Sequence, residues 1–464
     1  MKRILILFTL IFTVSISLLC TFSIIINNEK DTVTITENVL YGNKSYAVGL
    51  KITSRSHYKN RLYWTSEYTV SKKPEINTVY EFFLSEQSEI RPSPNFYFNV
   101  DDDIRFGFDF FTPAEQQEGL ARVYKELYDS CKEGERKEKT VYLKDIYEYY
   151  PIRLDVHLKG VYWSNNDFEN LWDDEEGGEK YVTTFFREFF KIPVLENSAV
   201  NISVGKNTNG HSMGSSYGSD SDGDYFFNTK SAVTEDTVFF TIDNKTRNKK
   251  QFVDFSLVPG GYGIYSFNYK NEGGLKYDVG ILTDTLKMAY ALDPQATVQD
   301  LLIANNGKDL ILLETKNGNT ALTTIDIKTM TKINEVIINN FVAHNIRDIG
   351  TGFLIISYEN FALIDSNYQL KFTAPMMNYV NESFNFMDYT ATAIYNGEKL
   401  VLVDSIVRDD FAFGKCGYYI AIYNETGLVY YGEYESSLDI NGDKYNYRYN
   451  CNPLNDAYTI EILQ

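Results

Sequence analysis

The sequence predicts a mainly β protein that follows one N-terminal transmembrane helix. The run of 23 residues from Ile4 to Ile26 contains no charged side chain, and about 20 apolar residues are enough for a helix to cross a bilayer. From residue 38 onward, apolar and polar residues alternate in short segments bounded by Gly, Asn and Asp, a pattern typical of strands. These segments are Ser45–Ile52, Arg61–Val70, Val238–Ile242, Gly263–Tyr269, Leu310–Glu314, Phe353–Ser357, Leu400–Asp404 and Tyr418–Tyr423.

The composition narrows the possible classes of protein. The 464 residues carry 63 acidic and 44 basic side chains, which gives a formal net charge of −19. With 44% hydrophobic and 15% aromatic residues, the chain is too apolar to remain disordered. A strongly acidic chain repels phosphate backbones, so nucleic acid is not expected as a partner. Frequent Asn, Lys, Ile and Tyr with few Cys suggest a bacterium with an AT-rich genome.

The flanks of residues 4–26 predict which way the helix crosses the membrane. Lys2 and Arg3 precede it, so the N-terminus is expected in the cytoplasm and the rest of the chain outside. A retained signal anchor is favoured. The alternatives are a cleaved signal peptide with a poor site at Thr21–Ser23 and a lipoprotein signal at Cys20. All three place residues 27–464 outside the cytoplasm, and the favoured one predicts a single-pass protein of the cell membrane.

Turns and one helix follow from local sequence. Four Asn-Gly pairs predict hairpins, because both residues accept a positive φ. They start at Asn306, Asn317, Asn396 and Asn441. A helix is expected from the capping box of Thr112 and Glu115, with an apolar stripe that runs from Leu120 to Cys131. A second short helix is expected over residues 141–150.

Several segments of the chain share a faint repeat. Each repeated unit ends with a strand, an acidic or amide residue and often Thr. Its instances begin at Ile242, Ile325, Ile364 and Ile422, and the clearest unit is Val298–Ile338. Here the chain resembles the YVTN- or quinoprotein-like β-propellers over about residues 234–464. The resemblance implies propeller-like four-stranded repeats and carries over no functional residue. The alternative fold is a β-sandwich domain with a partial propeller.

The predicted organisation is therefore a transmembrane signal anchor at 4–26, a linker at 27–38, a β-rich region at 39–233 and propeller-like repeats at 234–464. The β-rich region contains a helical insertion near 112–150. The cysteines leave one disulfide candidate, Cys416 with Cys451, and two separately buried thiols are the alternative. Cys131 lies on the apolar stripe and is predicted to be a core thiol.

Candidate chemistry is sparse. Ser212 lies in a G-x-S-x-G pattern, but a Gly/Ser/Asp-rich segment follows where a nucleophile elbow needs a helix, so a surface loop is favoured and no catalytic residue is predicted. Two acidic triplets have the alternate spacing of calcium loops but lack Gly and Glu at the sixth and twelfth positions. These weak metal candidates are Asp220, Asp222, Asp224, Asp439, Asn441 and Asp443. Plain acidic turns are favoured, so no cofactor is expected beyond this weak calcium possibility.

Aromatic clusters could stack against a sugar or peptide, although such residues more often cover a β core. They comprise Tyr147, Tyr149, Tyr150, Tyr162, Trp163, Trp172, Tyr445, Tyr447 and Tyr449. The leading hypothesis is a membrane-anchored extracytoplasmic binding or scaffolding protein that recognises protein or glycan. An exported hydrolase of glycans or peptides, with paired carboxylates, is the alternative. A surface structural protein is the third.

Overall fold

The computed structural model describes residues 2–58, 62–83, 96–102, 113–158, 178–208, 212–218, 229–246, 251–271, 279–376, 392–405, 417–437 and 458–463. Its helices are α1 Lys2–Lys30, α2 Gly119–Ser130 and α3 Gly178–Phe189, with short 3-10 turns at Lys44–Tyr46, Ala114–Gln116 and Leu143–Asp145. The predicted mainly β fold is confirmed by the strands that make up most of the rest.

The strands follow in chain order. The first thirteen are β1 Ile35–Gly42, β2 Leu50–Tyr58, β3 Leu62–Thr69, β4 Glu75–Phe82, β5 Phe96–Asp102, β6 Arg136–Tyr142, β7 Ile152–Leu158, β8 Ala199–Lys206, β9 Ser212–Gly218, β10 Thr229–Val233, β11 Thr237–Ile242, β12 Gly263–Asn271 and β13 Val279–Ala291. The next thirteen are β14 Thr297–Ala304, β15 Asp309–Lys316, β16 Asn319–Asp326, β17 Thr331–Ile338, β18 Asn345–Asp348, β19 Gly352–Ile356, β20 Asn360–Asp365, β21 Leu370–Pro375, β22 Thr392–Tyr395, β23 Leu400–Ser405, β24 Gly417–Asn424, β25 Gly427–Ser436 and β26 Tyr458–Ile462.

Two compact units contain these strands. The first unit is residues 1–91 with 346–464, and the second unit is residues 92–345. The division at 233/234 remains a prediction drawn from the sequence repeat. Between α1 and β1, inside the predicted linker, only residues 31–34 lie outside helix and strand.

The first unit contains three sheets. Their strand orders are β1-β25-β24-β23-β22, β18-β19-β20-β21 and β26-β2-β3-β4. Two of them combine strands from distant parts of the chain. Strand β1 pairs antiparallel with β25, with Ile35 opposite Ser436, and β26 pairs with β2, with Leu50 opposite Ile462. Strands of the N-terminal and C-terminal segments are thus exchanged between the two sheets.

The second unit contains the antiparallel four-stranded sheets β10-β11-β12-β13 and β14-β15-β16-β17, with a three-stranded sheet β6-β8-β9 and the pair β5-β7. Its core joins apolar residues of α2, α3 and these sheets. Phe186 of α3 and Phe190, just beyond the helix, pack against Phe240, and Phe190 also makes an edge-to-face contact with Tyr265. Helix α3 was not predicted from the sequence.

The predicted positive φ at both residues is confirmed for two of the three described Asn-Gly turns. Asn317 and Gly318 have φ values of 53° and 76°, and Asn306 and Gly307 have values of 53° and 82°. At the third pair only Gly397 has a positive φ, 96°. The fourth pair lies outside the described residues.

The faint sequence repeat has a structural cause. Asp326, Asp365 and Asn424 are each the last residue of the third strand of a sheet and accept hydrogen bonds in the turn to the fourth. Oδ1 of Asp326 accepts from the backbone N–H and hydroxyl of Thr329 at 2.7 and 2.8 Å. Oδ1 of Asn424 accepts from the corresponding groups of Thr426 at 2.9 and 2.6 Å. Three of the four instances of the repeat therefore mark turns that carry their own side-chain cap, whereas the instance at Ile242 ends the second strand of its sheet.

The predicted helical insertion is correct in part. Helix α2 buries Leu120, Tyr124 and the adjoining Cys131, so the predicted core thiol is confirmed. The predicted start of this helix at the capping box of Thr112 and Glu115 is wrong: Glu115 lies in a 3-10 turn, Gln117 and Glu118 are extended, and α2 begins only at Gly119. Thr112 itself lies outside the described residues. The prediction of a second helix over residues 141–150 is wrong. Strand β6 continues to Tyr142 and pairs with β8, and the helical part of the described segment after it is one 3-10 turn at Leu143–Asp145. The β-branched and aromatic residues at 140–142 favour that strand.

Candidate functional site

Most residues proposed as sites from the sequence lie outside the described part of the chain and remain predictions. They are the metal candidates Asp220, Asp222, Asp224, Asp439, Asn441 and Asp443, and the disulfide candidates Cys416 and Cys451. Among the described residues, no group of three or more His, Cys, Asp or Glu side chains could hold a metal ion.

Ser212 is the first residue of strand β9, which pairs antiparallel with β8. The prediction of a surface loop is therefore wrong for residues 212–218. A nucleophile elbow would require a strand-to-helix turn at this serine, and the chain enters a strand instead.

The described members of the aromatic clusters have structural partners. The buried Tyr150 hydroxyl accepts a hydrogen bond from the Leu195 N–H, and the Tyr147 hydroxyl accepts one from the Leu120 N–H, each at 3.3 Å. These contacts favour the core interpretation for both tyrosines. Tyr149 is partly exposed, and the remaining cluster members lie outside the described residues.

The strongest candidate site is a partly buried carboxylate of the second unit. Glu314 lies on β15, opposite Val298 of β14 and Ala321 of β16. Its Oε1 atom is inaccessible to solvent and has no hydrogen-bond partner among the described residues. A buried carboxylate oxygen without a partner carries a desolvation cost, so its presence points to a role other than stability.

The surroundings of Glu314 change its acidity. Burial raises its pKa to about 7, and the negative charges of Asp293 and Glu335 act in the same direction. Lys316, which forms an ion pair with Asp293, opposes them. The carboxyl is therefore close to half protonated at neutral pH, a property that is frequent among groups that bind or transfer protons.

The charge of the same carboxylate also acts on a buried tyrosine. Tyr262 precedes β12 and is 6% exposed. Burial raises the pKa of its hydroxyl, as do the negative charges of Asp243 and Glu314, while the Val298 backbone and Thr241 act in the opposite direction. The carboxylates of Asp243 and Glu314 therefore act on one buried hydroxyl from two neighbouring sheets.

One amide side chain fixes the loops around this site. Asn244 is 2% exposed, and its Nδ2 donates to the carbonyls of Pro294 and Ala296, each at 2.8 Å. Oδ1 of Asp293 accepts from the Gln295 N–H at 2.9 Å, which stabilises the same connection between β13 and β14. We name the group of Glu314, Tyr262, Asp243, Thr241 and Asn244 the Glu314 site.

Sequence reasoning missed the Glu314 site, although one signal was present. In the alternating segment that starts at Leu310, residues Leu310, Leu312 and Glu314 share a face of the strand. Leu310 and Leu312 are 0% and 1% exposed. An acidic residue that continues an inward-facing apolar row is a candidate buried carboxylate. Chemically, this carboxyl can exchange a proton or bind a cationic group beside the Tyr262 hydroxyl.

Comparisons with known proteins give no family. No protein-family model matches the chain, and no curated protein matches it. Among solved structures, a Bacteroides fragilis protein assigned as a 6-phosphogluconolactonase is 11% identical, with 82% of this chain and 93% of that chain covered and a TM-score of 0.29. AztD of Citrobacter koseri is 9% identical, with coverages of 82% and 85% and a TM-score of 0.27. The WD40 domain of SCAP from fission yeast is 8% identical, with coverages of 82% and 72% and a TM-score of 0.20.

Proposed function

We propose that this chain is a membrane-anchored binding protein whose β sheets lie outside the cytoplasm. The observation that carries this proposal is the contact between α1 and sheet β26-β2-β3-β4. Ile26 is 3% exposed and packs against Trp64 and Tyr80. The Tyr80 hydroxyl lies 3.3 Å from Oγ of Ser23, within hydrogen-bond distance.

This contact favours a retained anchor over a cleaved signal peptide. Residues 6–28 of α1 form a 23-residue span that is apolar enough to cross a membrane and almost wholly exposed to its surroundings. Cleavage after Thr21–Ser23 would remove one partner of the Ser23–Tyr80 contact and leave Ile26 next to a new terminus. The basic Lys2 and Arg3 support a cytoplasmic N-terminus.

The sheets support a β-propeller of the YVTN or quinoprotein-like type. A propeller blade consists of four antiparallel strands. Four of the described sheets have four strands. In three of them the strands follow one another along the chain, and in the fourth β26 joins β2, β3 and β4. The pairing of β26 with β2 and of β1 with β25 is the arrangement expected where a ring of sheets is closed by both ends of the chain.

The Glu314 site supports a ligand that carries a positive charge. Its carboxylates come from a chain with a net charge of −19, which attracts cationic partners over a distance. We propose that a protein or glycan with an exposed amine or guanidinium group is bound there. Nucleic acid is disfavoured for the same electrostatic reason.

Anchoring is tested on membranes from cells that produce the full chain. We expect the protein to remain in the membrane pellet at full length after an alkaline wash. External protease is expected to degrade residues 31–464 in spheroplasts. Release by the wash, loss of about 20 N-terminal residues, or protection from external protease would each contradict the proposal.

Binding at the Glu314 site is tested with the purified full chain on arrays of glycans and basic peptides. Glu314→Gln removes the charge with little change of shape and is expected to weaken binding at least tenfold. Glu133→Gln, which alters an exposed carboxylate of the same unit, is expected to bind like the wild type. Equal binding by both variants would show that the ligand is held elsewhere.

The hydrolase alternative is favoured by one observation, the raised pKa of Glu314, whose charge acts on the same buried Tyr262 hydroxyl as that of Asp243. A general acid needs a pKa near the working pH, and glycoside hydrolases place two carboxylates around the scissile bond. A panel of glycan and peptide substrates tests it. Turnover that is lost in both Glu314→Gln and Asp243→Asn would favour the enzyme, whereas turnover unchanged in both would exclude these residues.

A further inference from the structure

We propose that the Glu314 site binds a basic side chain of a partner protein, whose aliphatic stem lies across Ala321 and Ile337 while its charged end reaches Glu314. This inference rests on the proposed binding of a positive charge at the Glu314 site. It narrows the partner to a protein and adds an apolar surface that lies outside that site.

One row of side chains crosses the sheet β14-β15-β16-β17. Glu314 lies opposite Val298 of β14 and Ala321 of β16. Ala321 in turn lies opposite Ile337 of β17. Residues directly opposite each other in an antiparallel sheet have side chains on the same face, with Cβ atoms about 5 Å apart. All four side chains therefore share one face, and two such steps, about 10 Å, separate Glu314 from Ile337.

Exposure increases along this row. Val298 is 7% exposed, Glu314 and Ala321 are partly exposed, and Ile337 is 56% exposed. Val298 belongs to the core of the second unit, as does Leu312, which shares the face of Glu314. The core therefore covers the start of the row at β14, whereas the end of the row at β17 is open.

The centre of the row is shallow. Ala321 has the smallest side chain of the row and lies between the carboxylate of Glu314 and the branched side chain of Ile337. We name these three residues the Ala321 groove. Lysine and arginine have stems of three or four methylenes that pack on apolar surface while the charged end reaches a polar group. A groove with an apolar floor and a carboxylate at its covered end fits such a side chain.

The charges around the groove leave one carboxylate for an incoming cation. Asp293 and Glu335 form ion pairs with Lys316 and Lys332. Oε1 of Glu314, by contrast, has no hydrogen-bond partner among the described residues. A carboxylate removed from water is stabilised by a paired cation. Charge complementarity therefore favours a ligand that places one positive group at Glu314.

A tyrosine of the neighbouring sheet adds to this preference. Tyr290 is the penultimate residue of β13, is partly exposed and packs against the core of the second unit. Burial raises the pKa of its hydroxyl, on which the charges of Lys332, Glu314 and Glu335 also act. Aromatic rings attract cations, so Tyr290 favours a basic side chain near these residues.

The floor of the groove disfavours an amino sugar. Such a sugar carries its amine directly on a hydroxylated ring, and buried hydroxyl groups need hydrogen-bond partners. The side chains of Ala321 and Ile337 offer only hydrocarbon. A positive charge on an alkyl stem can cross this surface without burying polar groups, which favours a protein over a glycan as the partner.

Ligand-observed NMR with the full chain in detergent tests the groove. The probe is an acetylated and amidated pentapeptide with one arginine between alanines. Citrulline in its place removes the charge, 2-amino-3-guanidinopropionate keeps the charge on a stem of one methylene, and a glucosamine trimer is the glycan probe. We expect the arginine peptide to have a Kd at least fivefold lower than each of the others, with the largest saturation transfer at the arginine methylenes.

Two variants of β17 locate the stem. Ile337→Ser is expected to raise the Kd of the arginine peptide at least threefold. The matched control is Ile333→Ser, because Ile333 is also 56% exposed and on the same strand but lies four positions away, about 13 Å along the strand. This control is expected to bind like the wild type. Unchanged binding by Ile337→Ser, or equal losses in the two variants, would overturn the proposal.

The outcomes separate this inference from the proposed function on which it rests. Binding that depends on Glu314 but not on Ile337, or a glucosamine trimer that binds as tightly as the arginine peptide, would leave cationic recognition intact and overturn the role of the stem. Binding of neither cationic peptide nor glucosamine, or binding that Glu314→Gln leaves unchanged, would overturn both.

Discussion

The hydroxyl of Tyr68 donates a hydrogen bond of 2.7 Å to Oε1 of Glu37, and so links β3 of one sheet to β1 of another. Lys44 forms an ion pair with the other oxygen of the same carboxylate. Burial and the nearby Glu37 charge raise the pKa of Tyr68, so its hydroxyl retains the proton that it donates. This link joins the two sheets that exchange strands.

Removal of this hydroxyl tests the link. Tyr68→Phe is expected to lower the free energy of unfolding by about 2 kcal/mol, because a hydrogen bond to a charged, half-buried acceptor is lost. Denaturant titration followed by circular dichroism measures it. The control Tyr46→Phe changes a tyrosine that is 43% exposed and is expected to stay within about 0.5 kcal/mol of the wild type. Equal effects of the two would contradict the assignment.

The raised pKa of Glu314 predicts that the free energy of unfolding depends on pH. Its pKa rises from 4.5 to about 7 on folding, so the folded state binds the proton more tightly. The stability from this group is complete below pH 4.5 and falls as the pH rises through 7. At pH 8 we expect Glu314→Gln to be more stable than the wild type, by at most about 3 kcal/mol.

Denaturant titrations at pH 5 and pH 8 measure this effect. The stability of Glu314→Gln is expected to change less between the two values than that of the wild type. Glu133→Gln, at an exposed position, is expected to retain the wild-type dependence. A wild-type chain and a Glu314→Gln variant with the same pH dependence would contradict a raised pKa at this carboxyl.

Removal of the Asn244 side chain is expected to lower the stability of the second unit. Asn244→Ala leaves the carbonyls of Pro294 and Ala296 without their buried donor, and we expect a loss of about 2–3 kcal/mol. The control Asn38→Ala alters an exposed amide with one contact of 3.4 Å to Glu433 and is expected to cost less than about 0.5 kcal/mol. Thermal melting of both variants provides the comparison.

Substitutions at two glycines compare the cost of a positive φ alone with the cost of a steric clash at the Cβ position. Gly318 has a φ of 76° and open space where a Cβ would lie, so Gly318→Ala is expected to cost about 1 kcal/mol. At Gly352 the φ is 151°, and a Cβ would lie 2.3 Å from the carbonyl oxygen of Ile364. Gly352→Ala is therefore expected to cost at least twice as much. Similar costs in denaturant titration would show that the β19–β20 ladder yields to the side chain.

Strands and tight turns were predictable because their signals are local. The strand at Leu310–Glu314 and the positive φ accepted by Asn317 and Gly318 depend on neighbouring residues only, and both predictions are confirmed. The expected alternation is wrong there, because residues 310–313 are buried on both faces of the strand. The short helix at 141–150 failed for the opposite reason. Pairing of β6 with β8, a strand about 60 residues away along the chain, determines the conformation there.

The Glu314 site depended on contacts that the sequence does not display. Tyr262 and Glu314 are separated by about 50 residues, and their relation follows from the contact between the two four-stranded sheets of the second unit, where β10 lies against β14. The position of Glu314 in an inward-facing row was visible, but its buried neighbours were not. The packing of Ile26 on Trp64 was equally hidden, because the sequence predicts a helix and a hairpin without the contact between them.

The exchange of strands has a consequence for synthesis. Ile35 emerges early, yet its partner Ser436 is made about 400 residues later. Strand β1 and the sheet edge that β26 completes must therefore wait, unpaired, until nearly the whole chain has been made. During that interval they are open to wrong pairing. The slow step in assembling this protein is then expected to be the arrival of its last strands.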